Sequence, residues 1–209
     1  VGGQWLFTDT EANGMTAEIY DEYKKLFGGA PTDHAYVVLQ PMPPAGVSKG
    51  VWEAETRRPT VVVTSSDMPF KTQSLQRLHE QLRHEIFHLW LPNGVNLTGR
   101  YDWFYEGFAL YQSLKTGAAT NRSRFEDMLD TLSQARNIDA VITPRRSLIE
   151  ASRERWSGAD TQLYARGMVT AFLADLVLLE RSNGKRSIET ILREIFAAYR
   201  PPAKPVDGN

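Results

Sequence analysis

An α+β fold is predicted from two features of the chain: short β-branched and aromatic runs parted by turn-rich stretches over its first third, and a change to helical spacing from Ser74 onward. Strands are expected over residues 4–8, 35–40 and 60–64, separated by stretches such as residues 41–50, with one helix over about residues 16–27. After Ser74, the residues Leu75, Leu78, Leu82, Ile86 and Leu89 recur every three or four positions, as one buried helix face requires. Further helices are expected near residues 103–115, 122–135, 161–180 and 187–199, several with Gly or Pro at an end. Residues 201–209 read as a linker or loose end.

At 209 residues, 42% hydrophobic and 23% charged, the chain can bury a core without disulfide staples. One domain is expected over residues 1–200, with a β-rich lobe to about residue 69, a helical lobe from about residue 70, and room for a cleft between them. Twenty-four basic against twenty-five acidic side chains give a net charge of -1, which offers no general attraction to phosphate backbones, so no nucleic-acid partner is expected. The longest apolar stretch, residues 168–179, is interrupted by Asp175 and too short to cross a bilayer, so no membrane span is expected. The chain opens at Val1 without an initiator methionine or a signal segment, which suggests an excised domain or a processed product. Cysteine is absent, so any metal must be held by imidazole and carboxylate.

The strongest helical pattern contains His84-Glu85-Ile86-Phe87-His88, a match to H-E-x-x-H. Histidines at i and i+4 share a helix face, so both imidazoles can converge on one tetrahedral ion, while Glu85 points aside, toward a water on that ion. A catalytic site needs a third ligand and an open position. Glu106 is the candidate: it lies eighteen residues after His88, among five aromatics between Tyr101 and Phe108, an unusual place for a merely solvated carboxylate. The competing reading is a helix-start glutamate favoured by the macrodipole.

Nearby residues read differently. His79 opens a false start, because Arg83 stands where a second histidine would be needed. Both His79 and His34 are expected to be surface or partly buried polar residues. Asp102 reads as a helix N-cap, and Trp90, Trp103, Phe104 and Phe108 read mainly as core.

The H-E-x-x-H pair followed by Trp103-Phe104-Tyr105-Glu106-Gly107-Phe108-Ala109 resembles the gluzincin zinc aminopeptidases, and His88-Leu89-Trp90 is similar to their glycyl-aminopeptidase branch. The run from Ser147 to Ser152 and on to Trp156, then Tyr164-Ala165-Arg166-Gly167 leading to Leu173-Ala174-Asp175-Leu176, resembles that branch too. The resemblance covers roughly residues 50–199. It implies a thermolysin-like catalytic domain with the active site between its lobes, one zinc ion on His84, His88 and Glu106, Glu85 as general base, and a peptide substrate.

It further implies that Tyr164 donates a hydrogen bond to the oxyanion, with Arg166 replacing the family's lysine, and that Gly50, Trp52 and Glu53 form the substrate strand, Glu53 binding the free amino group. Two departures stand out: Ala54 occupies a place where relatives carry Asn or His, and the interval from His88 to Glu106 is shorter than in the branch. Family members often carry a PDZ domain, which this chain does not cover, and are often exported or periplasmic in bacteria. Removal of N-terminal residues is therefore the expected activity, the alternatives being a zinc endopeptidase or a catalytically altered peptide-binding domain.

Overall fold

Thr8 opens the first helix, since its hydroxyl accepts from the Glu11 backbone N–H (3.2 Å) while the Glu11 carboxylate accepts from Thr8 N (2.8 Å). In this computed structural model, which describes residues 5–42, 50–66 and 69–208, the helix α1 spans Asp9–Phe27 and ends at Gly28 with φ 73°. The strand expected over residues 4–8 does not form: Gln4 lies outside the described residues, and residues 5–8 are irregular because Thr8 serves as a cap. Part of the turn-rich stretch, residues 43–49, also lies outside them.

The chain divides into two compact units, Val1–Gly94 and Val95–Asn209. In the first, β1 (Tyr36–Pro41), β2 (Trp52–Arg57) and β3 (Thr60–Ser65) form a sheet in the order β1-β3-β2. Its β1 and β3 run parallel, while β2 pairs antiparallel with β3, Glu53 opposite Thr64 and Thr56 opposite Val61. Val61 and Val63 turn inward from the central strand, as the period of two requires.

Against α1 and the sheet packs α2 (Lys71–Phe87), burying Leu78, Leu82, Ile86 and Phe87. The whole of α2 lies in the first unit, which ends at Gly94. Just beyond α2, Trp90 is fully buried; its ring stacks on Phe27 (5.4 Å, 10°) and its Nε1 donates to Gly29 O (2.8 Å). His79, expected to be a surface or partly buried polar residue, is almost fully buried, with Nδ1 2.5 Å from Arg83 Nη1 and Nε2 3.5 Å from Glu18.

The second unit holds α3 (Asp102–Ala119), α4 (Phe125–Val141), α5 (Leu148–Arg153), a 3₁₀ turn (Arg155–Ser157), α6 (Asp160–Arg181) and α7 (Ile188–Tyr199). Of these α5 was not expected; it is set by a capping box between Ser147 and Glu150. The tail is not loose, because β5 (Val206–Asp207) pairs in parallel with β4 (Leu97–Thr98) and the Tyr101 hydroxyl donates to the Asp207 carboxylate.

By length and composition α6 is apolar enough to cross a bilayer, contrary to the expectation from residues 168–179 alone. Here it packs against α3, α4 and α5, with Gln162 and Asp175 both buried. Asp175 accepts from Tyr111 Oη (2.7 Å), Lys115 Nζ (2.9 Å) and the Ile188 backbone N–H (2.8 Å), so it also satisfies an orphan donor at the start of α7.

Two glycines fix how closely α3 and α6 approach. A Cβ on Gly107 would lie 2.3 Å from the Gly167 carbonyl carbon, and one on Gly167 would lie 2.6 Å from Trp103 O. No alanine fits at either place unless the helices move apart. The crossing sits one residue after Glu106 and three after Tyr164, which brings the two segments carrying those side chains together.

Candidate metal centre

His84 and His88 keep the i, i+4 relation although α2 ends at Phe87, because His88 retains right-handed helical backbone angles (φ -65°, ψ -14°). Their rings meet edge to face, 4.7 Å between centroids, and the two Nε2 atoms are 3.1 Å apart. Two nitrogens on one tetrahedral zinc, at about 2.0–2.1 Å each, stand about 3.3 Å apart, so the spacing fits. His88 Nδ1 lies 2.9 Å from Leu91 O. A carbonyl can only accept, so Nδ1 carries the hydrogen and the Nε2 lone pair faces the site, as a ligand requires.

Glu85 is only 6% exposed, and Thr56 Oγ1 lies 2.7 Å from both its Oε2 and its backbone oxygen. The single hydroxyl hydrogen is shared between those acceptors and ties the carboxylate to β2. Thr56 was missed from the sequence: it precedes Glu85 by twenty-nine positions, and no local pattern marks the contact.

The strand expected to bind substrate is present. Gly50 has φ 79°, a conformation that favours glycine, and Trp52 begins β2 with its ring edge-on to Trp5 (5.5 Å, 76°). Trp52, Ala54 and Thr56 are partly buried, whereas Glu53, Glu55 and Arg57 are exposed. Glu53 therefore lies on the face of β2 opposite Thr56.

Glu106 sits in the second turn of α3, where its Oε1 is 3.0 Å from Arg155 Nη1. The same Nη1 is 2.9 Å from Asp102 Oδ1, and Arg155 Nη2 donates to the Tyr164 hydroxyl (2.6 Å). Burial alone would lower the Arg155 pKa, but Glu106, Tyr164 and Asp102 outweigh it and hold the guanidinium above its ordinary value. Asp102 is thus not the N-cap: Tyr101 has that position, and Asp102 answers Arg155 from inside the first turn. Arg166 turns elsewhere, to Asp139 Oδ1 (2.7 Å) and to the carbonyl of Arg146.

Among the described residues, one group of histidine and carboxylate side chains could hold a metal ion. It consists of His84, His88 and Glu106, whose candidate ligand atoms all lie within 4.8 Å of one another. Two imidazoles and one carboxylate form a donor set suited to zinc that leaves a coordination position open. Trp90 and Phe108 are core as expected, while Trp103 and Phe104 are half-buried. A cavity of about 770 Å³ in the first unit, lined in part by Tyr20, His34, Tyr36 and Ile86, is a separate feature. Ile86 lies about 200° around α2 from His84, so that cavity opens on the helix's other face.

No protein-family model matches the sequence, and no curated protein matches it. Among solved structures, the chain superposes on an aminopeptidase N family protein from Idiomarina loihiensis with a TM-score of 0.78 and 17% sequence identity. The match covers 98% of this chain and 39% of that one, and at this identity it shows a shared fold. The chain is thus α+β, mostly helical with small sheets, with the fold of an aminopeptidase N family protein and a His-His-Glu group that could bind metal.

Proposed function

We propose that this chain is a zinc-dependent peptidase that removes residues from the free amino terminus of peptides. The observation that supports it most is the pair of Nε2 atoms 3.1 Å apart with the Glu106 carboxylate near them, in a chain of this fold. His84, His88 and Glu106 would hold the ion, which when bound acidifies a water and polarises a carbonyl.

The remaining steps belong to the chain's own side chains. Glu85, held at Oε2 by Thr56, accepts the proton of the attacking water and hands it to the leaving amine. As charge develops on the carbonyl oxygen, the Tyr164 hydroxyl donates to it; losing one such donor typically costs about 10²- to 10³-fold in rate. Glu53 pairs with the substrate ammonium and sets cleavage one residue from the end.

The position of Glu53 favours a second reading. It is exposed, as an ammonium-binding carboxylate must be, but it lies on the other face of β2 from the Thr56–Glu85 contact. An endopeptidase with the same metal ligands would not need it. A panel of short peptides with free and acetylated amino termini separates the readings. Aminopeptidase action predicts that acetylation lowers kcat/KM by about thirtyfold or more, the loss of one charge pair worth ~2 kcal/mol, and that Glu53→Ala shows the same loss on free peptides. Equal cleavage of free and acetylated peptides would establish the endopeptidase reading instead.

A further inference from the structure

The aspartate and glutamate at positions 102 and 106 stand one helical turn apart on α3, where two carboxylates repel unless a cation lies between them. Arg155 supplies it, with one nitrogen 2.9 Å from Asp102 and 3.0 Å from Glu106. The arginine comes from the 3₁₀ turn after α5, its side chain only 18% exposed, and its guanidinium lies 4.9 Å from the Trp156 ring centroid. Its other terminal nitrogen donates to Tyr164 Oη. Arginine has no acceptor, so the phenolic oxygen must accept in this bond and its own hydrogen is turned away from the guanidinium. A hydroxyl that is to donate to a substrate carbonyl needs that orientation.

We propose that Arg155 is a positioning residue that acts on two members of the site with one guanidinium, holding the Glu106 carboxylate at Oε1 as a metal ligand and setting the hydroxyl of Tyr164 as a donor. The inference rests on the peptidase reading for the role of Tyr164, while its Glu106 half concerns metal binding alone. Lysine can replace only half of this arrangement: its single ammonium keeps the charge beside Asp102 and Glu106 but cannot at the same time direct a second, fixed donor at Tyr164 Oη.

The test compares wild type, Arg155→Ala and Arg155→Lys in zinc affinity, by competition with a chromophoric chelator, and in kcat and KM at saturating zinc. For Arg155→Ala, zinc affinity falls by about 10- to 100-fold, as when an outer partner of a ligand is lost. Its kcat at saturating zinc falls by about 10²-fold, with KM little changed. Arg155→Lys recovers zinc affinity to within about threefold of wild type, yet its kcat stays roughly tenfold or more below it. Should Arg155→Ala fail to fold, the kcat of Arg155→Lys at saturating zinc decides the question. Zinc affinity unchanged or tighter in Arg155→Ala, or a wild-type kcat in Arg155→Lys, overturns the proposal. Wild-type protein that binds zinc but cleaves no peptide defeats the peptidase reading, and the zinc measurements then decide the hold of Arg155 on Glu106.

Discussion

Glu85→Gln abolishes peptide hydrolysis, lowering the rate by about 10²- to 10⁴-fold, the usual contribution of a positioned general base. The zinc content of the protein stays at the wild-type level, because Glu85 is not among the three groups that could hold the ion. The fold is kept as well. Thr56 can still donate to the glutamine carbonyl as it does to the carboxylate at 2.7 Å, so the side chain keeps its tether while losing its basicity. Metal analysis, denaturant unfolding and peptide turnover on one preparation check all three points. Full activity in Glu85→Gln would remove the general base from the account, and loss of zinc would show that Glu85 itself helps to hold the ion.

Asp175→Ala unfolds the second unit far more readily, with an expected loss of about 3–5 kcal/mol, the usual cost of removing one partner from a buried charged pair. Only 2% of the residue is exposed, and the substitution leaves Lys115, the Tyr111 hydroxyl and the Ile188 backbone N–H without their shared acceptor. The pH dependence carries a sign. Burial raises the Asp175 pKa, but the Ile188 N–H, Lys115 and Tyr111 outweigh it, so the carboxyl titrates below the ordinary carboxylate range. A depressed folded pKa stabilises at pH above the unfolded value of about 4 and is lost as pH falls through the folded one. The gap in urea midpoint between wild type and Asp175→Ala is therefore widest near neutrality and narrows only in acid. A gap that stayed constant down to pH 2 would show that Asp175 acts through shape and not charge.

Both residues were legible in the sequence to different degrees. Glu85 stood out because a helix has a fixed period: histidines four apart within a run of buried leucines leave little doubt about which face they share. Asp175 was visible only as a break in an apolar stretch, and its partners, sixty-four and sixty positions back and thirteen ahead, follow no local rule. Thr56 and Arg155 belong to the same class, as their roles exist only once strands and helices are packed.

Other differences between sequence and structure have local causes. Thr8 and Glu11 spell a capping box that starts α1 seven residues before the expected helix, and their polar contacts prevail over the β-branched and aromatic content of the preceding run. Glycines at 107 and 167 follow Glu106 and Tyr164 in motifs whose physical reason is the close passage of α3 and α6, which a one-dimensional pattern cannot reveal. The tail escaped for another reason, since a two-residue strand is too short to carry a period.

The most direct measurement is a zinc titration of chelator-stripped protein, followed by hydrolysis of an unblocked aminoacyl amide. Activity should vanish on stripping, rise with added zinc and reach its plateau at one equivalent. Turnover that survives removal of the metal, or one tightly held zinc without turnover above buffer, would contradict the account.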